Sequence, residues 1–149
     1  MSLPNIQARE SSLNQAILEL ARTEFVFGPY DPRTLVLESC GPYYADEVAF
    51  WLGAELITGR EEASARLADS LEPMYTFLEM GTMTVESFQV TVTMKDPQGQ
   101  LVSHWQLRLG GPYATGKPLR WQTIRLWRNG VVIAERIANL PELGVRTME

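Results

Sequence analysis

A strand-rich region between residues 84 and 138 constrains the possible folds more than any other part of this sequence. From Phe88 to Met94 apolar residues alternate with polar ones, a period of two that is typical of a half-buried β-strand. The residues between the segments are those that form turns, including Asp96-Pro97-Gln98-Gly99 and Asn129-Gly130. We therefore predict an antiparallel meander with strands at residues 84–95, 101–109, 119–128 and 131–138.

Both faces of these predicted strands carry large side chains. A solvated sheet face is usually polar, so both faces need a cover. Either other elements cover the two faces, or one face is covered within the chain and the other dimerises. The sequence leaves both arrangements open, and we expect a homodimer.

Composition excludes several classes of protein. The 149 residues suit a single domain, and the net charge of −5 with scattered basic residues argues against nucleic acid or an anionic membrane as the partner. No apolar run is long enough to span a bilayer, and no signal peptide is visible. One cysteine, Cys40, and one histidine cannot form a disulfide or the usual zinc site, so we expect a cytoplasmic protein without metal or cofactor.

The first half of the chain is predicted to be mainly helical. Apolar residues recur at helical spacing over residues 12–25, where Ser12 and Gln15 form a possible capping box. A short helix is predicted from Asp31-Pro32 to Gly41-Pro42, and a strand at residues 47–52. A third helix is predicted over residues 59–71, ended by Glu72-Pro73. We predict one domain, residues 1–149, with its core at residues 12–140 and a loosely attached tail at 141–149.

Three segments of this sequence carry a resemblance to a known family. They are Tyr44-Ala45-Asp46-Glu47-Val48, Thr58-Gly59-Arg60-Glu61-Glu62, and the ten residues from Leu126 to Glu135. In this order and spacing the chain resembles the NTF2-like superfamily, specifically its SnoaL-like and ketosteroid isomerase-like members. The resemblance implies an α+β, cone-shaped (cystatin-like) fold. In it a curved antiparallel sheet has three N-terminal helices packed on its concave face.

Members of the superfamily include isomerases, polyketide cyclases, epoxide hydrolases and non-catalytic ligand binders, so the fold does not decide the function. The resemblance places the isomerase base at Leu52 and the oxyanion-stabilising acid near Gln122, neither of which can transfer a proton. Arg120, Gln122 and Glu135 match the Asp-Arg-Asp arrangement of the epoxide hydrolases poorly. We therefore expect an interior that lacks catalytic carboxylates.

Two sets of side chains are candidates for a site. His104 with Gln122 is the candidate catalytic pair of an isomerase, cyclase or hydrolase, provided that both project into one cavity; otherwise His104 is an ordinary half-exposed histidine of a sheet. The second set favours an apolar pocket for a small hydrophobic molecule, or alternatively core and dimer contacts. It consists of Tyr44, Trp51, Tyr75, Gln106 and Trp121. The three hypotheses are therefore a binding module, an enzyme, and a dimeric structural or interaction domain.

Overall fold

The computed structural model describes residues 3–22, 32–79, 84–96, 99–112 and 116–139. The helices are α1 (Leu3–Arg22), α2 (Pro32–Cys40) and α3 (Arg60–Glu79), with a 3-10 turn at Gly41–Tyr43. The strands are β1 (Tyr44–Leu52), β2 (Glu55–Thr58), β3 (Thr84–Asp96), β4 (Gln100–Gly110), β5 (Leu119–Arg128) and β6 (Val131–Ala138). None of the helices in these ranges is long and apolar enough to cross a membrane.

The strands form one curved, unclosed sheet in the order β2-β1-β6-β5-β4-β3, with the helices on one side. The meander β3–β6 pairs antiparallel throughout, and β1 pairs antiparallel with β2. The pair β1–β6 is parallel, so the sheet is mixed where we expected an antiparallel one. The two strands are parallel because α3 and the meander bring the chain back beside β1, so that β6 runs in the same direction as β1. The α+β class and the predicted side for the helices are confirmed.

The four predicted strands of the meander are confirmed to within one residue at each end. The predicted tight hairpin is also present, because Asn129 has φ 53° and Gly130 has φ 82°. A two-residue turn of this kind needs positive φ at both positions, which Asn and Gly tolerate best. Strand β1 begins three residues earlier than predicted, and strand β2 was not predicted at all.

Two helix boundaries differ from the prediction. Helix α1 already begins at Leu3, so Ser12 lies inside it and the predicted capping box is wrong. Pro4 fits in the first turn, where a backbone donor has no partner within the helix. Helix α3 continues through Pro73 to Glu79, although proline removes one backbone hydrogen bond. Helix α2 ends at Gly41-Pro42 as predicted. Three parts of the prediction lie outside the described residues: residues 23–25 of the first helix, Asp31, and the tail.

The side chains on the helix-facing surface of the sheet, the inner face, form the core with one side of each helix. On α1, Ile6 and Leu13 are spaced by two turns and are both buried. On the strands, alternation places one residue in two on the inner face. The buried apolar side chains of this core include Val36, Cys40, Val48, Phe50, Ala63, Leu101, Trp127, Val132 and Ile137.

Gly99, next to the start of β4, packs tightly against the end of β5. The Trp127 amide donates to the Gly99 carbonyl over 2.9 Å. A Cβ on residue 99 would lie 2.8 Å from the Trp127 carbonyl oxygen, and the φ of Gly99 is +106°. The site therefore excludes a side chain both by space and by backbone conformation.

We expect Gly99→Ala to lower the free energy of unfolding by at least about 2 kcal/mol, because the methyl group would meet backbone as well as strain φ. Gly53 is a matched control, since its φ is +62° and, apart from its two chain neighbours, no atom of the described residues lies within 4 Å of the position that a methyl group would occupy there. Gly53→Ala should lower the free energy of unfolding by about 1 kcal/mol, because only the backbone conformation is strained there. Urea denaturation of both variants measures the difference, and equal losses would contradict the close approach at residue 99.

Candidate functional site

Arg125 is the centre of a polar cluster on the inner face of the sheet. It lies near the middle of β5, is fully buried, and pairs in register with Glu135 on β6. Its Nε donates to Glu135 Oε1 over 2.5 Å. Its Nη1 donates to Glu10 Oε2 and to Asn14 Oδ1, each over 2.6 Å. One guanidinium group therefore joins helix α1 to strands β5 and β6.

Glu10 connects this arginine to two further strand residues. Trp127 Nε1 donates to Glu10 Oε1 over 2.7 Å, and Ser103 Oγ donates to Glu10 Oε2 over 2.5 Å. Asn14 completes the set, because its Nδ2 donates to Ser103 Oγ over 2.7 Å. Both oxygens of the buried Glu10 carboxylate thus have donors, as a charge removed from water requires.

The second carboxylate, Glu135, is held from the opposite side by β1. Tyr44 donates its hydroxyl proton to Glu135 Oε1 over 2.7 Å. Burial raises the pKa of the Tyr44 hydroxyl well above its ordinary value, and the nearby Glu135 charge raises it further. The tyrosine therefore remains a neutral hydrogen-bond donor.

The charges in this cluster outweigh the cost of burying the arginine. Burial alone would lower the pKa of Arg125, but the charges of Glu135 and Glu10 hold that pKa well above its ordinary value. Arg125 stays charged, with two carboxylates as partners. Its Nη2 is buried and has no hydrogen-bond partner among the described residues. A buried guanidinium nitrogen without an acceptor is costly, and an additional acceptor there would remove that cost.

A small cavity lies beside Tyr44, between α2, α3 and β1. It holds about 10 Å³, roughly the room for one water. Apart from Tyr44 and Ser64 its lining is apolar or sulfhydryl, from Val36, Cys40, Phe50, Ala63 and Leu67. Burial raises the pKa of Cys40 to about 12, an effect that Arg125 opposes and Glu135 reinforces. Cys40 is therefore a protonated core residue.

An aromatic cluster lies next to the polar one on the inner face. The rings of Trp105 and Trp121 stack with centroids 6.0 Å apart and an angle of 4° between their planes. Phe88 packs against both rings at 5.5 and 5.8 Å. The indole of Trp105 also donates to Thr123 Oγ1 over 3.0 Å. These rings fill the space between β3, β4 and β5 with packed side chains.

The predicted catalytic pair lies on the other surface of the sheet, the outer face. His104 and Gln122 stand opposite each other on β4 and β5, and the exposed His104 ring contacts Thr93 Oγ1 at 3.0 Å. Gln122 accepts a hydrogen bond from Asn139 over 2.7 Å. Alternation explains the placement, because the neighbouring residues of both strands are the buried ones. The condition that both side chains enter an interior cavity is therefore not met.

The predicted pocket residues are divided between the two faces. Tyr44 and Trp121 lie on the inner face, as described above. Gln106 and Trp51 lie on the outer face, where Arg136 stacks over the Trp51 ring at 5.6 Å. The Tyr75 side chain is outside the described residues. The structure thus does not bring these five side chains together.

Sequence reasoning missed the polar centre, and the expectation of an interior without carboxylates was wrong. Glu10 and Glu135 are both buried there. One signal was available: Arg125 shares the inner face of β5 with Trp121 and Trp127, where a charge needs a buried partner. Glu10 was missed because the predicted helix began after it. Glu135 was considered only with Arg120, although Arg125 is its partner in the sheet.

Among the described residues, no three His, Cys, Asp or Glu side chains come together in a way that could hold a metal ion. Comparison with known proteins gave matches among solved structures only. No family model matches the chain. No curated protein matches it either.

Several solved structures share the architecture. An NTF-2-like protein of unknown function from Burkholderia xenovorans superposes with a TM-score of 0.51 and 17% identity, covering 90% of this chain and 88% of the other. A designed NTF2 fold protein gives a TM-score of 0.55 at 16% identity, covering 86% and 83%. The chain has the NTF2-like fold. A candidate SnoaL-like polyketide cyclase from Mesorhizobium loti superposes on it with a TM-score of 0.51 and 15% identity, covering 92% and 98%.

These similarities confirm the predicted NTF2-like architecture and do not extend to activity. Identities of 15 to 17% are too low to transfer residue roles. A designed protein without an evolutionary history is among the matches. The function of this NTF2-like chain therefore has to be argued from its own side chains.

The raised pKa of Cys40 predicts a loss of stability in alkaline solution. The folded thiol has a pKa of about 12 against an ordinary value of 9.0. The thiol contributes its full stabilisation below pH 9, and loses it as the pH rises from 9 towards 12, because the unfolded chain ionises first. Between pH 9 and 10.5 one such group should lower the free energy of unfolding by about 1.5 kcal/mol.

Cys40→Ala is the comparison that isolates this group. The variant loses packing at every pH, but its free energy of unfolding should fall less steeply between pH 9 and 10.5. Other groups that titrate in alkaline solution, including Tyr44, are present in both proteins, so their effects on the free energy of unfolding cancel in the comparison. Urea denaturation at pH 8, 9 and 10.5 measures the slopes, and identical slopes would show that the thiol is not held protonated by the fold.

Proposed function

We propose that this protein is a binding module whose interior takes up a small, mainly apolar molecule through one oxygen atom of that molecule. The observation that carries the proposal is Arg125 Nη2, a buried cationic donor without a partner among the described residues. The other two guanidinium nitrogens are engaged by Glu10, Asn14 and Glu135. An acceptor oxygen at Nη2 would complete the hydrogen bonding of the group.

The surroundings support an apolar ligand with one polar end. A hydrogen bond to a charged group contributes about 1.5–3 kcal/mol, which is enough to select an oxygenated molecule over a hydrocarbon of the same shape. Near Tyr44 the lining is mainly apolar, with Cys40 and Phe50 close by. A ligand with several polar groups would leave most of them without partners.

Room is the main constraint on the proposal. The cavity beside Tyr44 holds about one water, so a larger molecule must displace lining side chains. Leu67 is the suitable one to move, because it lies on this lining and is only half-buried. Shortening it should enlarge the cavity, whose lining includes Tyr44 of the polar cluster and does not include Arg125, so the ligand has to pass Tyr44 to reach Nη2.

The test compares cyclohexanone with methylenecyclohexane, which have the same shape and differ in one acceptor oxygen. We expect Leu67→Ala to bind the ketone about ten-fold more tightly than the hydrocarbon, as one hydrogen bond to a charged donor predicts. Binding is followed by NMR of the labelled guanidinium and indole groups. Signals of Arg125 and Trp127 should shift with the ketone only.

Two further variants make the binding test specific. Leu67→Ala combined with Arg125→Lys keeps the positive charge but loses the guanidinium fork, and should lose the preference for the ketone. Leu67→Ala combined with Arg136→Met removes an exposed arginine from the outer face and should keep it. If Leu67→Ala binds the ketone and the hydrocarbon equally, or binds neither of them, Arg125 is rejected as the ligand anchor.

A second candidate function is hydrolysis, favoured by the two carboxylates that flank Arg125. The groups are of the same kinds as the Asp-Arg-Asp arrangement of epoxide hydrolases. Glu135, oriented by Tyr44 and Arg125, would take a proton from a water as its oxygen bonds to an epoxide carbon. The carbon–oxygen bond of the ring breaks as the new bond forms, the ring oxygen, stabilised at Arg125, gains a proton from solvent, and Glu135 releases its proton to solvent, which gives a diol and the original carboxylate.

Hydrolysis of cyclohexene oxide, followed by gas chromatography, tests this candidate. If Glu135 is the base, Glu135→Gln should slow the reaction at least about 100-fold, the usual contribution of a general base. Glu61→Gln, at an exposed position in the first turn of α3, should not change the rate. Diol formation at the uncatalysed rate by the wild-type protein would leave binding without turnover as the function.

A further inference from the structure

A second site lies on the outer face of the sheet, away from Arg125 and the helices. A shallow groove of about 270 Å³ crosses strands β3, β4 and β5. The strand register arranges its polar side chains in two rows. One row is Gln89, Gln106 and Arg120, and the other is Thr91, His104 and Gln122. A groove of this size has room for a small molecule or for one functional group of a larger one.

The hydrogen bonds inside the groove leave mainly donors available to a ligand. Arg120 Nε donates to Gln106 Oε1 over 3.2 Å, so the amide oxygen of Gln106 is engaged, whereas its NH₂ group has no partner in the described part of the chain. On the next row Asn139 Nδ2 donates to Gln122 Oε1 over 2.7 Å, with the same result for Gln122. The terminal nitrogens of Arg120 donate to no group in the described ranges. The groove is therefore short of acceptors, which a ligand would have to supply.

The groove is also locally cationic in a protein of net charge −5. Arg120 is exposed, and no carboxylate pairs with it within the part of the chain that the structure describes. Arg108 lies on the same face, two positions along β4 from Gln106, and faces Ser87 on β3. Glu86 is an acidic residue near this end of the face, where it lies against Gly110. The charge that is not compensated inside the groove is positive.

From these observations we propose that the groove binds a small oxyanion, a carboxylate or a phosphate group, with Arg120 as its main contact. The planar guanidinium presents paired N–H donors that match two oxygens of such a group. The NH₂ groups of Gln106 and Gln122 would donate to the same anion from the two rows. The apolar ligand of the interior and the oxyanion of the groove occupy opposite faces of one sheet, so the two sites are independent.

The test is an NMR titration of the full-length, ¹⁵N-labelled protein with sodium phosphate, sodium succinate or sodium chloride at equal ionic strength. We expect saturable shifts of the side-chain amides of Gln106 and Gln122 and of Arg120 Nε with phosphate, succinate or both, and not with chloride. The first two salts distinguish a phosphate from a carboxylate site. Trp127 Nε1, inside the core, should not shift, which separates this site from that of the proposed function.

Arg120→Gln should weaken oxyanion binding by about ten-fold, as expected for one hydrogen-bonded charge. Arg136→Gln is the matched control, because Arg136 is an exposed arginine of the same face stacked on Trp51, outside the groove. It should leave the affinity unchanged. Shifts that do not saturate, or equal losses in both variants, would overturn the proposal. So would sedimentation showing a dimer whose formation buries the groove and abolishes the phosphate and succinate shifts.

Discussion

The ion-pair network of Arg125 is the interaction on which the rest of this structure depends. Two buried carboxylates, one from the first helix and one from the last strand, meet on a single guanidinium group. Removing charges from water is expensive, and the attraction between them offsets this only when nearly every polar atom has a partner. Here the partners come from α1, β1, β4, β5 and β6, so the helix layer and the sheet can meet in one arrangement.

The same network restricts the register of the meander. Side chains alternate between the two faces, so a slip of one residue in β5 would move Arg125 to the outer face and leave both carboxylates without a cation. A simple apolar core would penalise such a slip less, since Trp and Leu side chains pack in several ways. The hairpin at Asn129-Gly130 also restricts the register, because its positive φ angles suit only one turn geometry between β5 and β6. Turn chemistry and buried charge thus select the same pairing.

Local patterns predicted much of the fold, and the interior could not be predicted in the same way. Period-two alternation and turn residues determined the four strands of the meander, because both are properties of adjacent residues. Pro73 and Ser12 were misleading as helix boundaries, because packing along a whole helix outweighs one residue's preference. The parallel pair β1–β6 and the bonds of Arg125 to Glu10 and Asn14 join residues about 85 to 115 positions apart. No short window of sequence contains that information.

The span of the contacts made by Glu10 has a consequence for how the protein is made. Glu10 bonds Trp127, 117 residues later in the chain, and Arg9 bonds the carbonyl of Gly130. A ribosome synthesises α1 before the strands that receive it, so the helix waits through the synthesis of more than about a hundred residues for its binding surface. During that time its carboxylate remains in water, where an ionised side chain is at no disadvantage. The polar pair Glu10 and Asn14 among the apolar residues of this helix thus keeps the nascent helix hydrated until the sheet that neutralises the carboxylate exists.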